Sequence, residues 1–563
     1  MPDLKEKTVI SRLRAGDAQS FVARSFVPVL IVLAILTQLQ STAFAQENKS
    51  KVVAVMSISS VDQLLDNVAY LTEVAGQEDT GQLASMLVKA QLEGIDFSKP
   101  IGMGLRTDGE EWIPLGFVPV TDLDKVFAAM EESVGAPRDL GNGIKEIPNP
   151  ANPIFVKERD GWAFVGQTVE SMAALPQNPI AMLGQMPNEY DIALRGNIQN
   201  VPKEFIDMAV NALQDGVRQG LQNLDDEDRV AQEAMVKTQL EQMETFIKES
   251  DKVTIGWKTE REKQRTYLDM TFTAIPGGAL AKQMNDMAEA KSDFTGFVIP
   301  DAAFTMNMAT EIPPEQIKTS IDGIEQLKVT ALKEIEKDDD LETAEARSAA
   351  KEMVSAAMDI FVATIETGKM DGGMSIVMEP GDISMLAGFH VADGKDVEKI
   401  LRRAADMAKE EPDFPGIKFN ADKAGDVAFH TMTVPVPEEE EARKVLGDTM
   451  EMAIGTSDDS VYVGFGKGCI GKLKSIISSQ PKQKKVAPFQ MTFSLTPIME
   501  FAAEMDDNPM LGSVLESLKE ADGKDHLKIY GIPVKNGFTY RLELEEGIIG
   551  AIGAGAAIAG SGF

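Results

Sequence analysis

A chain of 563 residues that is 43% hydrophobic has material for several globular cores, and a mean hydropathy of -0.12 excludes a polytopic membrane protein. A formal net charge of -34 argues against nucleic-acid binding and repels anionic lipid at long range. The single cysteine, Cys469, excludes an intramolecular disulfide, so stability rests on size rather than cross-links.

The chain opens with an address. Lys5, Lys7, Arg12, Arg14 and Arg24 form a basic region, Val27 to Leu36 (VPVLIVLAIL) an apolar one, and Ala43-Phe44-Ala45 a small-x-small cleavage pattern. The pattern predicts a signal peptide over residues 1–45 and Gln46 as the first mature residue. The apolar run falls short of the ~20 residues that span a bilayer, so the mature form is expected to have no transmembrane span. The expected location is exported, periplasmic or extracellular, in a bacterial envelope. Asn48-Lys49-Ser50 matches a glycosylation acceptor and in that setting is incidental.

Lys51 to Ser57 is β-branched and alternates, which predicts a strand. Helical spacing of Leu64, Leu65, Val68 and Leu71 follows, then a second helix over Leu83 to Leu92. Two strands, Ile101 to Arg106 and Trp112 to Val120, lead to a helix with Leu123, Val126, Phe127 and Met130 in one stripe. A hairpin is predicted over Ile154 to Val165 with Asp160-Gly161 as its turn. Tyr190 to Leu194 is a strand, Phe205 to Ile247 a helical hairpin, and Lys252 to Trp257 with Arg265 to Thr273 a closing β-hairpin.

From Ala302 the pattern starts again. Phe304 to Ala309 (FTMNMA) echoes Val53 to Ile58 (VAVMSI), and helical stretches at Pro314 to Glu336 and Leu341 to Thr367 precede strands at Gly373 to Met378 and Ser384 to Val391. Leu386 to Met407 mirrors Pro114 to Met130, with Val397, Ile400, Leu401 and Ala404 repeating the stripe. Val461 to Ser479 mirrors Trp162 to Leu175, Phe489 to Leu495 mirrors Tyr190 to Leu194, and Thr539-Tyr540 mirrors Thr266-Tyr267. Matches in one order predict an α+β fold of two homologous halves from an internal duplication, each a mainly antiparallel sheet packed with helices. The expected domains are the signal peptide, a first repeat over 46–296, a second over 297–546, and a Gly/Ala-rich tail over 547–563 that is frayed or packed.

Several of these segments carry a resemblance. GFVPVTDLDKVF at Gly116 to Phe127, WAFVG at Trp162 to Gly166, YDIAL at Tyr190 and TYLDMTF at Thr266 to Phe272, behind an export signal, resemble large exported proteins of planctomycete-type bacteria. The resemblance implies a source and a compartment, and no activity or site residues.

Short chemical motifs are weak. Gly466 to Lys472 satisfies G-x4-G-K, but Leu473 stands where Ser or Thr would hold Mg²⁺, and the echo at Gly166-Gln167-Thr168 lacks the further glycines. His390 and His430 lie on predicted strands without a metal-ligand spacing, and His526 stands apart. Asp79-Thr80-Gly81 has no second Asp-Thr/Ser-Gly to share a proton with. Cys469 has no evident base, and the acidic runs at Asp225–Asp228, Asp338–Asp340 and Glu438–Glu441 lack the alternation of a Ca²⁺ loop. No catalytic, cofactor-binding or metal residue is assigned, and no cofactor is expected.

Methionine is abundant at 30 residues, many on helical stripes: Met130, Met208, Met235, Met243, Met353, Met358 and Met407. Thioether side chains suit both core filling and an adaptable apolar groove. The expected function is a non-enzymatic binding or scaffold role in the envelope, for an apolar ligand or a protein partner. The alternative is a hydrolase whose carboxylates are scattered and leave no short motif.

Overall fold

The structure, a computed structural model, describes residues 50–561 except 149–152, 174, 223–239, 241–242, 339–340, 342, 380, 410–413, 437–442, 444–445, 480 and 506–507. The predicted signal peptide, the middle of the predicted hairpin at Phe205 to Ile247, and the runs Asp225–Asp228 and Glu438–Glu441 lie outside the described residues, as do Asp339 and Asp340. The fold is α+β, and the chain divides into two compact units. The first takes residues up to 206 with 251–270 and 552–557; the second takes 207–250, 271–551 and 558–563.

In the first unit the strands are β1 (Lys51–Ile58), β2 (Ile101–Thr107), β3 (Trp112–Pro119), β4 (Arg138–Asp139), β5 (Ile144–Ile147), β6 (Ile154–Arg159), β7 (Trp162–Gly166), β8 (Ile192–Asn197), β9 (Ser250–Glu260) and β10 (Arg265–Ala274). They pair in the order β4-β5-β6-β7-β3-β2-β1-β8-β9-β10, antiparallel from β4 to β9. The β6–β7 turn is Asp160-Gly161, both at positive φ (53° and 76°), as a tight type I′-like turn requires.

Alternation gives this sheet two apolar faces, covered over β1, β2 and β3, while Leu194 on β8 and Ile255 on β9 stay exposed. On one side lie the helices Val61–Val74, capped by the Ser60 hydroxyl accepting from Gln63 N, and Leu123–Val134, capped by Asp122. Their Val61, Leu64, Leu65 and Phe127 close over Ile58, Ile101 and Val118. On the other, the short helices Ile180–Leu183 and Met186–Glu189 bring Leu183 and Met186 against Leu115, Phe117 and Phe164. The fully buried Asp191 accepts from Gln63 Nε2, Asn67 Nδ2, Thr259 N and Lys258 Nζ at 2.7–3.0 Å, so its charge is paired and hydrogen-bonded as burial demands.

The second unit holds β11 (Lys291–Ser292), β12 (Phe304–Glu311), β13 (Lys369–Glu379), β14 (Asp382–His390), β15 (Lys418–Ala424), β16 (Val427–Pro435), β17 (Thr449–Thr456), β18 (Ser460–Phe465), β19 (Lys484–Lys485), β20 (Phe489–Ser494), β21 (His526–Val534) and β22 (Gly537–Glu545). The main sheet runs β15-β16-β17-β18-β14-β13-β12-β20-β21-β22, antiparallel throughout, and β11 pairs with β19.

One face of this sheet packs on the segment carrying Phe294 and Phe297, with Leu386, Phe429, Tyr462 and Leu473 around them. The approach is close. A Cβ at Gly388 would lie 2.6 Å from the Phe297 ring, and one at Gly373 2.7 Å from the Phe294 carbonyl oxygen. The helices Pro314–Lys337, Ala344–Glu366, Gly394–Ala408, Leu495–Met505 and Pro509–Glu520 belong to the same unit. The glycine- and alanine-rich C-terminal run is helical, Glu546–Ser561, with Ile548 and Ala551 buried. Among the described residues no helix is long and apolar enough to cross a membrane.

Candidate binding face

The opposite face of the second unit's sheet is apolar across eight strands, and it is only partly covered. The registers of β22, β21, β20, β12, β13, β14, β18 and β17 define three rows. The first reads Leu544, Leu527, Phe493, Phe304, Ile376, Met385, Phe465, Met452. The second reads Leu542, Ile529, Met491, Met306, Met374, Ala387, Val463, Ile454. The third reads Phe489, Met308, Gly372, Phe389, Val461, Thr456, with Tyr540 paired to Gly531 on β22 and β21. No ionisable carboxylate or amine interrupts them.

In the first two rows every residue keeps some solvent exposure. Phe493, Met385, Phe389, Leu542 and Tyr540 are between 36% and 47% exposed. At usual strand and row spacings the three rows cover a sheet footprint of roughly 34 Å by 14 Å, of which these five residues are the exposed part.

On β12 and β13 the usual alternation of an antiparallel sheet is inverted. Along β12, Thr305 and Asn307 point inward and are buried, while Phe304, Met306 and Met308 remain partly accessible. Ser375, Asp371 and Ser494 are likewise buried. Burial of such groups needs partners. Asp371 accepts from Ser292 Oγ at 2.6 Å and Asp293 N at 2.9 Å, and Asn307 Nδ2 donates to Ser292 Oγ and the Gly372 carbonyl. Asn307 and Asp371 thus tie β12 and β13 to the segment at Ser292 beneath the apolar outer rows.

Helices reach this side without sealing it. Leu495–Met505 lies against β13, and Gly394–Ala408 against β17 and β18. The helix Ala344–Glu366 is tied at its C-terminal end, where Thr364 Oγ1 accepts from Ala392 N and the Gly368 carbonyl accepts from Ile312 N. Among the described residues, neither Ala344–Glu366 nor Leu495–Met505 has a buried side chain. Phe361 on Ala344–Glu366 and Leu327 and Val329 on Pro314–Lys337 are each more than half exposed.

The motifs of the sequence are placed as follows. Gly466 to Lys472 does open the helix Cys469–Ser479, but the backbone N–H of Gly468 donates to Glu451 Oε2 at 2.9 Å, so a carboxylate takes the amide a phosphate would need. Lys472 Nζ is held by Ser384 Oγ at 2.8 Å and Asp382 at 3.2 Å. Cys469 is buried, and burial pushes its thiol up to about 11, leaving it a packing residue.

His390 and His430 do not meet: β18 and β17 stand between their strands. His390 bonds the Asp459 carbonyl and Thr367 Oγ1; His430 accepts from Asn420 N at Nδ1 and bonds Thr456 at Nε2, and burial lowers its pKa. Asp79-Thr80-Gly81 forms the first turn of the helix Glu78–Gln91.

Carboxylates do gather at one end of β21 and β22. Glu545 accepts from His526 Nδ1 at 2.7 Å and from Lys528 Nζ; Tyr530 OH donates to Glu543, and Asp525 accepts from Thr496 N. Burial would raise Glu545, but the bonds from His526 and Lys528 outweigh it and bring it down to about 2. A general acid working near neutral pH needs the opposite shift. The cluster is a structural tie, and it gives no specific support to hydrolysis.

Of the helical methionines, Met208, Met243 and Met407 are exposed, Met353 and Met358 half-buried, and Met130 packs on the first unit's core; Met235 lies outside the described residues. The strand methionines Met306, Met374, Met385 and Met491 were the ones sequence reasoning missed. Their signal is the two-residue spacing of Met306 and Met308 within a predicted strand. Compared with known protein families, curated proteins and solved structures, the chain matches none.

Proposed function

We propose that this chain is a non-enzymatic envelope protein that binds an apolar ligand on the open face of its second unit. The observation that carries the reading is the partial accessibility of two complete apolar rows on a sheet whose other face is buried. Soluble chains leave such a surface open when something else covers it. The methionines suit that role, since flexible thioethers adapt to ligands of differing shape. Export, and a source among planctomycete-type bacteria, rest on the signal-peptide pattern and the resembling segments; they belong to the same proposal.

The two halves are proposed to descend from one duplicated α+β unit. The support is that ten strands of each unit follow one order, with helices at corresponding places in the chain.

Native mass spectrometry of protein recovered from its own envelope tests the binding role. The reading expects a co-purifying apolar small molecule that organic extraction removes. A chain of bare mass, alone or only with a second protein, would contradict ligand carriage, the second outcome favouring a scaffold.

A further inference from the structure

The second apolar row contains more than apolar surface. Met491, Met306 and Met374 are direct cross-strand partners on β20, β12 and β13. Adjacent partners place their Cβ atoms about 4.5–5.5 Å apart, and a methionine has three rotatable bonds with which to swing its sulfur toward a neighbour. The outer two can therefore lean over the central one without moving the backbone. Met308 lies two residues along β12 on the same face, and Met385 is diagonal to Met374. All five are partly accessible.

We propose that Met491, Met306 and Met374 form a Cu(I) site. Thioethers are soft, uncharged ligands that select Cu(I) and are poor partners for Mg²⁺ or Ca²⁺. An apolar surround without carboxylates, as the three rows provide, excludes harder cations further. A face meant only to be apolar is better built from β-branched and aromatic residues, which sheets prefer. Three sulfurs on successive strands supply, beyond apolar area, the donor set a soft ion needs.

The first unit supplies an internal comparison. There the registers place Leu194, Met56 and Met103 side by side, so one sulfur is missing, and Met56 and Met103 pack on a buried core. The site is thus confined to the second unit. The inference needs sulfur rather than apolar area, so it stands or falls separately from the apolar ligand.

Thioethers carry no proton in this range, whereas histidine and cysteine must lose one to bind metal. Binding by this triad is accordingly insensitive to pH between about 5.5 and 7.5. The test is anaerobic titration of the full chain with Cu(I) against a chromophoric Cu(I) chelator, with ascorbate present. A single Cu(I) is expected, bound equally at both pH values, with sulfur-only coordination by X-ray absorption. Met306→Leu, which keeps side-chain volume, is expected to weaken binding by more than ~100-fold, beyond the 10–100-fold of outer-shell changes. Met56→Leu is expected to leave it unchanged. Absence of binding by the folded wild type, nitrogen ligands, or full binding by the Met306→Leu/Met374→Leu/Met491→Leu triple variant would each overturn the proposal.

Discussion

The helix-side faces of the two sheets share a strand order and differ in closure. In the first unit, Ile58, Ile101 and Val118 meet Val61, Leu64 and Phe127, and all are buried. The space left beside Val118, Phe127 and Met130 is a cavity of only about 30 Å³, too small for a ligand. In the second unit Met306, Met374 and Met385 stay partly accessible, and among the described residues no side chain of the helices Ala344–Glu366 and Leu495–Met505 is fully buried. One topology thus supports both a closed core, at Ile58, Ile101 and Val118, and a partly accessible apolar surface, at Met306, Met374 and Met385. The difference lies in the side chains the strands present and in how far the helices close on them.

That contrast can be broken by substitution, and the largest effect belongs to the sealed face. Phe127→Ala removes a buried ring and is expected to cost about 3–5 kcal/mol. All three tryptophans, Trp112, Trp162 and Trp257, are in the first unit, so urea denaturation followed by tryptophan fluorescence reads that unit directly. A loss below about 1 kcal/mol would mean the core is not closed.

A smaller effect is expected on the inner face of the second unit. Gly388→Ala forces a methyl into the Phe297 ring and is expected to cost about 1–3 kcal/mol, read by circular dichroism. A neutral result would make the inner face as loose as the outer.

The ion-paired end of β21 and β22 gives a pH dependence. Glu545 is held near 2 against an ordinary 4.5, so its stabilisation is present above pH 4.5 and lost as pH falls through about 2. Thermal melts over that window should fall less steeply in Glu545→Gln than in the wild type. Equal slopes would remove Glu545 from the account. The smallest effect is expected at the open face itself, where Met374→Ala should cost under about 1 kcal/mol because its side chain is already part-solvated.

The sequence showed much of this architecture. Alternation and helical stripes marked β1, β2, β3, the helix Leu123–Val134 and the Asp160-Gly161 turn. It did not show faces. The letters VAVMSI and FTMNMA align Met56 with Asn307, yet the ladders place Met56 opposite Met103 and Met306 opposite Met374. If the ladders are superposed, Met56 corresponds to Met306, one residue away, and in a strand one residue reverses inside and outside. The matching Gly-Phe pairs at Gly116 and Gly388 mislead in the same way, since Phe117 is buried inward and Phe389 is exposed.

The site was less legible still. The glycine-rich turn at Gly466 looked like an anion cradle because the carboxylate that occupies it, Glu451, comes from another strand. The open methionine rows were invisible because accessibility depends on how helices far along the chain settle, which no local pattern records.

The most direct test of the open face is titration of the full chain with N-phenyl-1-naphthylamine, an uncharged apolar fluorophore, alongside Met306→Glu/Met374→Glu. Fluorescence and circular dichroism first establish that the variant is folded. The account predicts saturable binding by the wild type and its loss in the variant, because two carboxylates would then stand in the central row. Equal binding by both proteins, or none by either, would contradict it.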